Sequence, residues 1–181
     1  VSPEKVEAIT GLSAEFLSIF NDAMNLRQID VVRHLTNILH PSDLADLIES
    51  TSTDDRRWLI DLLREDLNPD VITELNESLI ESLADQIGIQ EMAEVVSEMD
   101  IDDAIDVVEE LTAKDQQEIL NALPHGERIL IQEGLSYPED SAGRLMQREV
   151  VGVPNHWNVG QAIDFLRTEK QLPRDFFDIF L

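Results

Sequence analysis

Apolar positions along this chain recur every twelve residues rather than at the spacing of one long helix. Cut from Pro41, residues 41–136 divide into eight units, the first two reading PSDLADLIESTS and TDDRRWLIDLLR and the last HGERILIQEGLS. The seventh position is Leu47, Leu59, Val71, Leu83, Val95, Val107, Ile119 and Ile131. The eighth is Ile48, Ile60, Ile72, Ala84, Val96, Val108 and Leu120, turning polar only at Gln132. The eleventh begins with Thr51 and continues Leu63, Leu75, Ile87, Met99, Leu111, Leu123 and Leu135; Leu35 and Leu39 fit the same columns one unit earlier. Positions 7, 8 and 11 form one face of a helix. Position 3 is acidic in six units (Asp43, Asp55, Glu91, Asp103, Asp115, Glu127), where a carboxylate meets the positive end of a helix. The leftover Pro, Asn, Ser, Thr and Asp residues favour caps and turns. A helix of about two turns is unstable alone in water. Such helices must close a shared core with their neighbours, so the pattern predicts a mainly α fold, a superhelix of short helices.

The flanks follow other rules. Ser13 is placed to cap a helix over AEFLSIFNDAM that ends near Asn25, and SPEKVEAIT (2–10) predicts a short helix with Pro3 in its first turn. After Ser136 the period stops. YPEDSAGRLM, with Pro138 and Gly143, reads as a loop; EVVGVP (149–154) as a strand; VGQAIDFLR, capped by Asn158, as a helix; FFDIF (176–180) as a second strand. The expected organisation is an acidic helical superhelix over 1–136, then a linker and a truncated α+β half-motif over 137–181.

Charge narrows the partners. Against 38 acidic residues stand 13 Lys and Arg, a net charge of −25, of which −23 falls before Tyr137. That field repels nucleic acid and anionic lipid and attracts cations. Cysteine is absent, which excludes disulfides and thiolate metal sites. Apolar runs are far shorter than the roughly 20 residues of a membrane span, and no secretory leader is evident, so this segment is expected to work in water without entering a membrane.

The densest candidate chemistry is MDIDDAID, where Asp100, Asp102, Asp103 and Asp106 crowd together. Asp102 and Asp106 lie four apart on a helix and repel each other. A hard divalent cation relieves such repulsion, and Mg²⁺ typically takes one or two carboxylates while keeping several waters. The alternative is a solvated acidic face with Asp102 or Asp103 as helix cap. Asp54, Asp55, Glu65 and Asp66 alternate with Arg56, Arg57 and Arg64, which suggests a self-paired exposed face, and Glu109 and Glu110 suggest solvated surface. His34, His40, His125 and His156 are too scattered for a ligand pair, with His40 expected at the surface. Trp58 is expected at a helix interface. Ser141 lacks a nucleophile-elbow context and no glycine-rich phosphate loop is present, so an enzyme is not expected.

The loop, strand, helix, strand order carried by LMQREVVGVPNHWNVGQAIDFLR resembles the opening of a CBS domain, with Trp157 as one of its packing residues. YPEDSAGRLM, joined to acidic two-turn repeats, resembles the junction in MgtE-family magnesium channels; the likeness covers roughly residues 29–181. It departs at Arg144, where the family usually carries a second glycine after Gly143. The resemblance implies a cytoplasmic, Mg²⁺-sensing region of a channel of the inner (plasma) membrane. Mg²⁺ held between the helical domain and a CBS pair would then stabilise the closed state. It implies a homodimer whose partners are its own CBS pair and transmembrane domain. Matched residue by residue, it places metal ligands at Asp70, Asp102 and Asp106, with the remaining carboxylates largely beyond Leu181, so Mg²⁺ would bind weakly here. Two other readings fit the repeat: a protein-interaction scaffold similar to flagellar motor switch modules, and a CBS regulator without a channel.

Overall fold

The computed structural model describes residues 12–138, 141–144, 146, 150–169, 172 and 178–181. The helix expected over 2–10 lies outside these residues. Ahead of the repeat, α1 spans Ala14–Asn25 and α2 Ile29–Asn37. The Ser13 hydroxyl accepts a hydrogen bond from the Phe16 amide at 3.1 Å, which sets the start of α1.

Each twelve-residue unit then contributes one helix: α3 (Pro41–Ser50), α4 (Thr53–Leu63), α5 (Pro69–Thr73), α6 (Glu77–Ile87), α7 (Ile89–Val96), α8 (Ile101–Glu109), α9 (Ala113–Ala122) and α10 (His125–Leu135). Caps recur at the joints. Ser52, Asn68, Asn76 and Thr112 each accept a backbone N–H of the helix that follows. The third unit is the irregular one. Pro69 disfavours helix at Asn68, so Arg64–Asp66 closes as a 3₁₀ turn and α5 keeps only five residues.

Burial follows the columns: Leu47, Leu59, Ile72, Val108 and Ile119 are each no more than 1% exposed, and one continuous apolar core runs from Phe16 to Ile131. The fifth unit deviates. Met92, Ala93 and Val96 are buried there, while Val95 is only half-buried.

The helices form two rows. In one, α3 packs on α5, α5 on α8 and α8 on α10; in the other, α2 packs on α4, α4 on α6, α6 on α7 and α7 on α9. Successive helices alternate between rows except at α6 and α7, which are consecutive and share one. Gly88 alone joins them, acting as C-cap of the first and N-cap of the second with φ 88° and ψ 154°. That backbone region is essentially restricted to glycine. The slip it creates turns α5 toward α8 instead of α7. Gly88→Ala, which meets no atom within 4 Å and so tests backbone strain alone, should lower stability by about 1–3 kcal/mol in urea unfolding. Gly126→Ala, in the first turn of α10 with equally open space, should be neutral or stabilising by up to about 1 kcal/mol. Equal effects at the two positions would remove the strain argument.

Another left-handed residue sits between α1 and α2, where Arg27 has φ 51° and its amide and that of Gln28 close onto the Met24 and Ala23 carbonyls. Arg27 lies 4.6 Å above the ring of the half-buried Trp58 and pairs with Asp55 at 2.9 Å. Trp58 thus stands at a helix interface, as its place in the repeat predicts.

The mixed-charge segment does not pair with itself. Arg56 donates to the Ile48, Glu49 and Thr51 carbonyls at 2.8–2.9 Å, closing the end of α3. Arg64 reaches across to Glu91 on α7 and donates to the Ile87 carbonyl at 2.7 Å. Arg56 and Arg64 thus tie neighbouring helices and free carbonyls together, because most carboxylates of their own segment stand only one or two residues away, and such neighbours do not face each other on a helix.

Beyond α10, β1 (Val151–Gly152), α11 (Val159–Thr168) and β2 (Ile179–Phe180) make a strand–helix–strand unit with the strands parallel and Val151 opposite Ile179. Parts of the expected strands 149–154 and 176–180 lie outside the described residues. Asn158 and Gln161 form a reciprocal capping box at the start of α11, and Trp157 packs edge-on against Phe165 at 5.6 Å.

Candidate functional site

Where α5 and α6 face α8, a cleft of about 380 Å³ opens, floored by Leu75, Ile80 and Val107 and rimmed by Glu77, Asp103, Asp106, Glu109, Glu110 and Arg144. Most of its acidity comes from α8. Asp100 is the N-cap, Asp102 and Asp103 fall in the first turn and Asp106 one turn on. The cap is therefore Asp100, not Asp102 or Asp103, which leaves both of the latter within the helix.

Packing of α5 on α8 adds Asp70 to this group. The Asp103 carboxyl is pushed up to about 6, first by withdrawal from solvent and then by the charges of Asp102, Asp100, Asp106 and Asp70. Asp106 is also raised, again first by burial, with Glu109 and Asp102 adding to the effect and Arg144 opposing it. Both residues keep exposed surface on the cleft wall, so solvent screening moderates these interactions. One Asp102 carboxylate oxygen (Oδ1) is buried without a hydrogen-bond partner.

The three carboxylates expected to bind metal are thus brought onto two packed helices, Asp70 on α5 and Asp102 and Asp106 on α8. They share an electrostatic neighbourhood but not a coordination sphere: among the described residues, no three His, Asp or Glu side chains converge to hold a metal. The donors fit Mg²⁺ in kind, since they are hard oxygens and one is orphaned, and such an ion commonly completes its shell with water.

Two residues on the cleft take roles that spacing did not suggest. Glu109 is not simply solvated; it pairs with Arg144, which is only 4% exposed. Arg144 Nη1 also donates to the Gly134 carbonyl at 2.9 Å. Glu109 and Gly134 lie in the last turns of α8 and α10, where the helix dipoles favour a cation. The turn carrying Arg144 is itself held down. The Arg144 amide donates to the Ser141 carbonyl and that of Ser141 to the Pro138 carbonyl, both at 3.0 Å. Gly143 lies so close to the Tyr137 ring that a Cβ there would stand 2.9 Å from Cδ1. No local pattern could have revealed this, because Glu109 and Gly134 are distant from Arg144 in sequence; only the glycine at 143 hinted at a close approach.

Elsewhere, His40 is exposed and caps α3 through Ser42. Among the described residues no helix is long and apolar enough to cross a membrane.

Residues 39–140 match the family model described as the MgtE intracellular N domain. A curated relative, the magnesium transporter MgtE of Bacillus subtilis (strain 168), is 26% identical over 136 residues, 75% of this chain. The chain spans only 30% of that relative's length. Two solved structures share the fold. A crystal structure of the soluble part of a magnesium transporter has a TM-score of 0.68 at 23% identity, with 84% of this chain and 60% of that one covered. The cytosolic domain of the Mg²⁺ channel MgtE, crystallised in complex with ATP, has a TM-score of 0.72 at 22% identity, with 83% and 62% covered. With the family model matching more than half of its length, the chain belongs to the MgtE intracellular N domain family.

Proposed function

We propose that this chain is the Mg²⁺-sensing regulatory part of a magnesium transporter or channel, and that a divalent cation on the α8 cluster stabilises its closed state. The observation that carries the reading is the gathering of Asp70, Asp102, Asp103 and Asp106 on two packed helices, where the neighbouring charges add on Asp103 and one Asp102 oxygen is buried without a hydrogen-bond partner. Like charges held together by folding are a store of repulsion that an arriving cation discharges. In this reading residues 1–136 are the ion-attracting superhelix, and residues 137–181 open a CBS domain that supplies further ligands from segments beyond Leu181. The protein would work as a homodimer on the cytoplasmic face of the plasma membrane, its pore lying outside this chain and no nucleic acid involved. The curated relative's name and the Mg²⁺ channel neighbour support the cation class. They do not bear on the ligand residues.

A population shift of this kind needs only differential binding of a few kcal/mol. Millimolar MgCl₂ should raise the melting temperature above that in NaCl of matched ionic strength. At about ten times the dissociation constant the gain is roughly 1.4 kcal/mol, or about 3 °C for a chain of this size. Asp102→Asn with Asp106→Asn should remove most of this difference. A full Mg²⁺ response in the double variant would take these residues out of the site, and identical MgCl₂ and NaCl curves for the wild type would favour a scaffold.

A further inference from the structure

Among the described residues Arg144 is the basic side chain on the rim of the cleft, and it is only 4% exposed. It arrives from a turn after α10, not from the helices whose carboxylates it meets. Its Nη2 pairs with Glu109, its Nη1 with the Gly134 carbonyl, and its Nε has no partner. Its charge acts on Asp106 one turn before Glu109. A buried guanidinium is tolerable only where carboxylate and carbonyl partners replace water. Here those partners belong to the same acidic wall that would attract a free cation.

We propose that Arg144 is a tethered counter-cation of the cleft. It clamps the 141–144 turn onto α8 and α10, and it competes with a free divalent cation for the Asp106–Glu109 end of the cluster, so that ion binding and release of the turn are coupled. The competition rests on the Mg²⁺-binding reading above; the clamp does not. As a positioning residue, Arg144 makes the junction after Tyr137 sensitive to the charge state of a cleft whose carboxylates come from other elements. When a divalent ion draws Asp106 and Glu109 toward itself, the guanidinium loses its ionic partner and keeps only a carbonyl. The buried charge is then poorly compensated, and the turn lifts.

The test has two arms on the whole chain, with Arg144→Gln, Arg144→Lys and Glu109→Gln. Without divalent ions, amide exchange at Ser141 and Arg144 should accelerate in Arg144→Gln and Glu109→Gln, with partial rescue in Arg144→Lys. Unchanged exchange in both neutral variants would overturn the clamp. In the second arm, calorimetric titration with MgCl₂ should give Arg144→Gln an affinity about fivefold tighter than wild type, as expected from removing one nearby charge at a screened surface. Mg²⁺ should also accelerate those two amides in the wild type. Equal or weaker Mg²⁺ affinity in Arg144→Gln would overturn the competition while leaving the sensing reading intact. Absence of any Mg²⁺ binding in the wild type would overturn the sensing reading and the competition together, and the first arm would still decide the clamp. Glu109→Gln, which keeps the guanidinium but removes its ionic partner, guards against a fold lost only through substitution of Arg144.

Discussion

Ile105→Ala is expected to lower the unfolding free energy by about 2–5 kcal/mol, read as a fall in the denaturation midpoint at unchanged slope. Ile105 is 1% exposed in the middle of α8, among Val107, Val108 and Ala104, and its side chain fills the contact with α10. Cutting it to alanine removes three carbons from a closely packed contact, and short helices wedged between packed neighbours cannot easily close the gap. The effect should exceed that of a surface change such as Val159→Ala, a residue 76% exposed at the start of α11. A loss below about 1 kcal/mol would mean that α8 and α10 are not packed through this residue.

The mirror experiment starts from Gly134. A Cβ on this residue would stand 2.0 Å from Cδ1 of Ile105 and 2.8 Å from its Cγ1. Gly134→Val should therefore cost about 3 kcal/mol through overpacking, despite the better helix propensity of valine. The pair should be strongly non-additive. In Gly134→Val with Ile105→Ala, the new methyl groups enter the space that isoleucine vacates, and the double variant should recover about 1–3 kcal/mol relative to the sum of the singles. Strict additivity would show that the two helices do not meet at this point. The Gly134 carbonyl also accepts from Arg144, so a shifted α10 should loosen the 141–144 turn as well.

Much of the helical frame was legible because the core demands it. Leu47, Leu59, Leu83 and Ile119 sit in one column of the repeat and all are buried. Ser13 and Asn158 mark their helix starts because a side-chain oxygen there satisfies an amide that the helix leaves free. What resisted reading was set by backbone geometry and by partners distant in the chain. Val95 occupies the column yet is only half-buried, while Met92, Ala93 and Val96 face inward, and the row slip just before it follows from the angles that Gly88 adopts. A glycine in sequence announces freedom, not the angle it adopts. The acidic run 100–106 was legible as charge, but its meeting with Asp70 depends on which helices are neighbours. Glu109 looked solvated because its partner lies 35 residues on, in a polar loop.

The slip at Gly88 also constrains how such a protein can change length. Past that point α7 and α9 stand in one row and α8 and α10 in the other, so neighbours in space are separated by a unit in sequence. Removing or inserting a single unit between Ile101 and Ser136 would move every later helix to the opposite row, confronting apolar faces with the wrong partners and separating Glu109 from Arg144. Removing or inserting two would restore the original parity. Insertions and deletions tolerated in this part of the superhelix should therefore come in steps of about 24 residues, as expected when a stacked array repeats through pairs of elements.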